Sequence, residues 1–163
     1  MEKINSISDT GPIIYLSKLN LIKLLEIFSP VGISPEVRSE TSNYKISVPV
    51  FLKTLELNAK TKDFVELLIL QFELDLGEAE GLALIRQEGA KLFFTDDLDA
   101  REAAKQLGVS VHGTIGILIR GYREGKLSKN VVIEKLRALK NTGFFITSDL
   151  IEQAIKAVEN YKK

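Results

Sequence analysis

Strand-like stretches alternate with helical ones along most of this chain, and that rhythm restricts the fold more than any bulk property does. Ile4 to Ser8 reads as a short alternating strand ending at Asp9. A Thr-Gly-Pro turn then leads into one or two helices over Ile13 to Phe28, with Pro12 in the first turn, where its missing N–H costs nothing. Val31 to Ser34 is a second strand, and Pro35 opens a helix through about Thr41. An extended piece is expected at Thr54 to Leu57, followed by helical spacing over Lys62 to Phe72. Gly77 to Glu88 is the next helix, Lys91 to Thr95 the third strand, and Asp97 to Leu107 a helix with Ala100, Ala103, Ala104 and Leu107 on one stripe. Val109 to Val111 forms a fourth strand and Gly113 to Gly125 a helix. Beyond Ser128, a suitable N-cap, come a helix to about Leu139, an extended Phe144 to Thr147 and a last helix from about Asp149 to Tyr161. Strands joined through helices run parallel, so the predicted class is α/β: three layers, α/β/α, around a mainly parallel sheet of about four to five strands.

A chain of 163 residues with 45% hydrophobic content can bury one good core and is short for two, so residues 1–163 are read as a single domain. With no cysteine, a disulfide scaffold and thiol chemistry are excluded. No apolar run reaches the roughly 18 residues needed to span a bilayer, and no leader pattern opens the chain, so no membrane partner and a cytoplasmic location are expected. The 22 basic and 22 acidic residues balance, so any contact with a polyanion must come from locally grouped Lys and Arg. The single histidine, His112, leaves no room for a multi-His zinc site, and it reads as a packed or surface residue. Only carboxylates are plentiful enough to build a site.

In open α/β sheets ligands bind beyond the carboxyl ends of the strands, and two acidic positions fall there: Asp9 after the first strand, Asp96 and Asp97 after the third. Taken singly, Asp9 also reads as a strand terminator and Asp97 as a helix N-cap. Glu78, with Leu82 and Ile85 at i+4 and i+7, projects from the buried stripe of its helix, although a first-turn glutamate facing the helix dipole is the alternative. Glu80 is expected to face solvent. Glu40, three residues beyond Val37, belongs either to a surface helix with Glu36 or to the crevice. Turned to the crevice, it completes a four-carboxylate pocket that repels itself when empty. A hard divalent cation such as Mg²⁺ or Mn²⁺ relieves that repulsion and suits hydrolysis of a phosphodiester by activated water, with no side-chain nucleophile required.

Ser8-Asp9-Thr10-Gly11-Pro12, Val37-Arg38-Ser39-Glu40, Leu76-Gly77-Glu78-Ala79-Glu80 and Thr95-Asp96-Asp97 occur in an order and spacing that resemble the PIN-domain proteins, the family that includes VapC-type toxins. The resemblance covers roughly residues 4 to 125, and Gly113-Thr114-Ile115-Gly116 with Gly125 is similar to one subgroup of PIN-related proteins. It implies that Asp9, Glu40, Glu78 and Asp97 are catalytic metal ligands for Mg²⁺ or Mn²⁺, with Asp96 or Asp99 as an auxiliary carboxylate. Thr10 is expected to hydrogen-bond an acidic neighbour or a metal-held water. The implied function is a metal-dependent endoribonuclease cleaving single-stranded RNA, the toxin of a toxin–antitoxin pair with a cognate antitoxin as partner. The chain departs from the family pattern at Gly11, where Asn or Ser is usual. The segment from about residue 128 is a C-terminal helical extension beyond a minimal domain.

Arg101 is expected either to orient Asp97, to contact a phosphate, or simply to pair with Asp97 at i, i+4. Arg120, Arg123 and Lys126 read as a phosphate-binding edge or a solvated helix end. The apolar run Ile13 to Phe28 is core by default and otherwise part of a homodimer interface, and a homodimer is the expected assembly. Receiver-like and phosphatase-like Mg²⁺ proteins fit poorly, because the first strand ends in Asp9-Thr10-Gly11 and not in an acidic pair or Asp-x-Asp. Aspartic proteases share Asp-Thr-Gly but are mostly β. The rival of a different class is a catalytically weak or inactive domain of this fold serving as an interaction module.

Overall fold

The structure, a computed structural model, describes residues 2–162. Five short strands, β1 (Ser6–Ser8), β2 (Val31–Ile33), β3 (Leu52–Thr54), β4 (Leu92–Phe94) and β5 (Ser110–His112), form one sheet in the order β3-β2-β1-β4-β5. Every pairing is parallel. The chain builds outward from β1 to β2 and β3, then returns to lay β4 on the other side of β1. Between β1 and β4 the direction of winding reverses, which opens a crevice at their carboxyl ends.

Among the described residues there are eight α-helices, the first five lying between strands and the last three following β5: α1 (Thr10–Lys18), α2 (Pro35–Asn43), α3 (Ala59–Phe72), α4 (Leu76–Glu88), α5 (Leu98–Gln106), α6 (Thr114–Arg123), α7 (Lys129–Ala138) and α8 (Ser148–Glu159). Short 3-10 segments occupy Ile22–Phe28 and Leu139–Thr142. Local chemistry sets the helix starts. Ser34, Asn58, Asp75, Asp97, Ser128 and Thr147 each accept a backbone N–H from the first turn of the helix that follows.

The sheet is covered on both faces. One core gathers Ile13, Leu16, Val31, Ile33, Phe94, Leu118, Leu136 and Ile155, and so joins α1, α6, α7 and α8. The other gathers Ile7, Phe93, Val65, Leu82 and Ala103, joining α3, α4 and α5. Adjacent Phe93 and Phe94, both fully buried, point into opposite cores, as the two-residue period of a strand requires. This is the predicted three-layer α/β/α class.

Several local expectations change. The residues of β1 are all buried and not alternately exposed, because a central parallel strand is sandwiched between two helical layers. The third strand in sequence falls at Leu52–Thr54 and not at Thr54 to Leu57; as a three-residue edge strand with two exposed positions it leaves almost no pattern. Phe144 to Thr147 has no strand pairing and forms the loop leading to α8. Ile13, Leu16, Leu19, Leu24 and Leu25 are core residues, which places most of the apolar run Ile13 to Phe28 inside the fold. His112 packs against Phe28 and Phe94, with ring centroids 6.0 and 6.4 Å away. No helix among the described residues is long and apolar enough to cross a membrane.

Candidate active site

Register carries the two strand-end acidic positions together. Ser8 of β1 pairs with Phe94 of β4, so the next residues out, Asp9 and Thr95, emerge side by side at the reversal of winding. The Asp9 amide donates to Phe94 O at 2.8 Å, while the Asp9 carboxylate accepts from Thr10 N at 2.8 Å and from Thr95 Oγ1 at 2.9 Å. Thr95 Oγ1 also accepts from Asp97 N at 3.2 Å, so one hydroxyl ties the ends of both strands. Asp97 caps α5 by accepting from Ala100 N at 2.9 Å and lies exposed at the crevice mouth.

Two further helices close the crevice. Thr10 Oγ1 donates to Glu40 Oε2, which holds half-buried Glu40 on α2 beside the start of α1. Glu78 is buried at the start of α4 in a reciprocal cap with Asp75: Asp75 Oδ1 accepts from Glu78 N at 2.8 Å, and Glu78 Oε2 accepts from Asp75 N at 3.0 Å. Gly77 makes the approach of α4 to α2 feasible, since a Cβ there would lie 3.0 Å from Glu40 Oε1. Asp9, Thr10, Glu40, Asp75, Glu78, Asp96 and Asp97 thus line one crevice of about 310 Å³, with Tyr15, Phe144 and Phe145 on its rim. A larger hollow of about 450 Å³ near Leu21, Leu24 and Lys126 has a single carboxylate, Glu26, among its lining residues.

The electrostatics are those of uncompensated negative charge. Burial pushes the Asp9 carboxyl up to about 7, against the pull of its bonds to Thr10 and Thr95, and the charges of Asp75 and Glu40 push the same way. Burial likewise raises Glu78 to about 8, helped by Asp75, Asp97 and Asp9 and opposed by its bond to the Asp75 backbone. Glu40 is raised by burial and by Asp75, Glu36 and Glu80, with the Thr10 hydroxyl opposing. Among the described residues no ion pair reaches any of these carboxylates.

Asp96 behaves differently. Its carboxylate accepts from Thr114 N at 2.7 Å and from Thr114 Oγ1 at 2.6 Å, so it joins the end of β4 to the start of α6. Burial raises it, while Thr114 and the nearby Arg101 charge lower it. Gly113 is required here: a Cβ would sit 2.7 Å from Asp96 Oδ1 and 2.8 Å from Arg101 Nη1. Gly113→Ala is expected to displace Asp96 and cost about 1–3 kcal/mol, read as a lower urea midpoint with unchanged slope.

A family model described as a PIN domain matches residues 5–160. The chain belongs to the PIN-domain family. No curated protein matches the sequence. PIN domains are generally nucleases and generally use divalent metal ions, so this chain has a nuclease-type fold. The match reaches through α7 and α8, the segment read as an extension from about residue 128.

Within this PIN domain the donor set is all oxygen, as a hard divalent cation prefers. Among the described residues, however, no three acidic or histidine side chains surround one point as a ready cradle. That arrangement fits an ion held through one or two carboxylates with water, the usual mode for Mg²⁺, better than a closed protein cage. Asp9, Glu40, Glu78 and Asp97 come together as expected from sequence, and Thr10 bonds an acidic neighbour. Asp99 is exposed and does not line the crevice. Arg101 donates to Thr95 O at 3.4 Å and its charge lowers Asp96, while among the described residues no ion pair joins it to Asp97. Glu80 is half-buried and accepts from Glu36 N at 3.1 Å, a correction to its solvent-facing assignment that arises because α2 packs beside α4. Sequence reasoning passed over Asp75 and gave Thr95 and Thr114, which appear only within motifs, no role of their own. Asp75 had a signal, the capping-box spacing to Glu78, whereas the partners of Thr95 and Thr114 lie 86 and 18 residues away.

Proposed function

We propose that this PIN domain is a Mg²⁺- or Mn²⁺-dependent endoribonuclease that cuts single-stranded RNA. The observation that carries the reading is the uncompensated carboxylate group at the reversal of sheet winding, built by four separate segments of a nuclease-type fold. Asp9, Glu40, Glu78 and Asp97 are assigned to the metal, one or two of them as direct ligands and the others through its waters, with Asp96 as the auxiliary carboxylate. When bound, the divalent ion supplies Lewis-acid activation of water and offsets charge on the phosphate oxygens. The chain's own residues fix the donors: Thr95 orients Asp9, Thr10 orients Glu40, the Asp75 cap orients Glu78, and the start of α5 orients Asp97. Asp75 adds negative charge that favours the ionised, cation-loaded crevice over the empty one.

The protein is proposed to act in the cytoplasm, in keeping with the absence of cysteine, as the toxin of a toxin–antitoxin pair. A cognate antitoxin would restrain it by covering the acidic crevice, and a homodimer would cover the exposed Leu67 and Leu70 of α3. The test is Mn²⁺ calorimetry on wild type and Asp97→Asn, with cleavage of a labelled single-stranded RNA followed in the same buffers. Binding and cleavage that both fail in Asp97→Asn support the nuclease. Intact metal binding in the wild type without cleavage of any RNA or DNA would favour an interaction module instead.

A further inference from the structure

Phe145 is the most exposed large apolar residue described, at 99%. A lone exposed phenyl ring is common on protein surfaces, but this one lies on the rim of the crevice that holds Asp9, Glu78 and Asp97. The segment carrying it is tied to the body of the protein. Phe144 packs edge-on against Tyr15 with ring centroids 4.8 Å apart, Lys18 Nζ donates to Thr142 O at 2.8 Å, and Lys140 Nζ donates to Ser148 Oγ at 2.7 Å. The loop therefore packs one partly buried aromatic ring against the body as an anchor and presents its neighbour bare to solvent.

We propose that Phe145 is a stacking platform for an unpaired nucleobase of the substrate strand, beside the crevice whose carboxylates, once loaded with a divalent cation, would hold the adjoining phosphate. This rests on the nuclease reading above and adds how the strand is gripped. A polyanion approaching a crevice of carboxylates gains little from charge, and the chain as a whole has no net charge to draw it in. Stacking supplies affinity that does not depend on charge and tolerates any base, because every base has a π face. It also selects for single strands, since bases in a duplex already stack on one another. The recognised chemistry is an unpaired base on a phosphodiester chain, and RNA and DNA probes distinguish its two sources.

The experiment measures binding of short single-stranded RNA and DNA oligonucleotides carrying 2-aminopurine, by anisotropy and by the base's own fluorescence, with Ca²⁺ in place of the supporting ion. Wild type, Phe145→Ala and Phe145→Trp are compared, and cleavage is followed separately with Mn²⁺. Because the ring touches solvent on all sides, each variant should keep the wild-type melting temperature. The proposal expects Phe145→Ala to weaken single-strand binding by about tenfold or more and to lose the fluorescence change, with Phe145→Trp restoring both. KM should rise while kcat at saturation stays within about twofold. Equal affinity of Phe145→Ala and wild type, equal affinity for a duplex, or no binding of wild type to either single strand overturns it. Binding with these properties but without cleavage in Mn²⁺ leaves the stacking role standing and removes the nuclease reading.

Discussion

Asp9→Asn is expected to abolish metal-dependent cleavage and, in the same protein, to raise thermal stability in the absence of metal at pH 8. The loss of activity should be on the order of a hundredfold or more, because Asp9 sits where the sheet winding reverses and presents its charge toward the other carboxylates. The gain in stability has a separate cause. Asp9 is 7% exposed and pushed up to about 7, so at pH 8 the empty site holds a buried charge opposed by Asp75 and Glu40. Asparagine removes that charge and can still accept the Thr10 amide. Thr95 can turn its hydroxyl to receive the new amide proton. Melting curves in EDTA at pH 5.5 and pH 8 test this: the variant should lie above wild type at pH 8 and close to it at pH 5.5. A variant that melts below wild type at both pH values would contradict the buried-charge account and show that the Asp9 carboxylate stabilises the fold.

The second large effect is the pH dependence of the metal-free wild type. A carboxyl that ionises near 3.8 when unfolded and near 7 when folded binds its proton more tightly in the native state. Its stabilising contribution is complete below about pH 4 and is lost as the pH rises through 7, because over that window the native state holds a proton the unfolded chain has released. For Asp9 alone the loss approaches about 4 kcal/mol, at about 1.4 kcal/mol per unit of displacement. Glu78, raised to about 8, works in the same direction. For a chain of this size the loss at Asp9 corresponds to a fall in Tm on the order of 10 °C between pH 5 and 8 in EDTA, and Glu78 adds to it in the same direction. Saturating Mn²⁺ at pH 8 should recover most of it, since a cation that binds the folded site stabilises by mass action. A Tm in EDTA that rises steadily from pH 5 to 8, or that Mn²⁺ leaves unchanged, would contradict the acidic-site account.

Much of this architecture is legible in the residues. Helical spacing, N-caps such as Asp97 and Ser128, and the strand-then-acid pattern at Asp9 and Asp96 give the α/β class and place two acidic positions at strand ends. Those signals are local, read within one turn or one strand, so they survive without knowledge of the partner elements. The inward direction of Glu78 is local too, fixed by its spacing to Leu82 and Ile85.

The rest is decided between segments. That β1 is buried on both faces follows from its central place in the sheet, which three residues of sequence cannot announce. Glu80 turns from solvent to the Glu36 amide only because α2 lies alongside α4. Thr95 and Thr114 are ordinary polar residues until register sets one against Asp9 and the start of α6 sets the other against Asp96. Phe145 would pass for a core residue by type, and tertiary packing chose Phe144 for the anchor and left Phe145 bare. The sequence by itself determined most of the helices, the alternation of strand and helix, and that acids stand at the strand ends, because periodicity and capping act over a few residues. Only the tertiary structure decided which carboxylates meet, which hydroxyls hold them and how far their protons are retained, because burial and the charges of distant neighbours do not exist until the chain is folded.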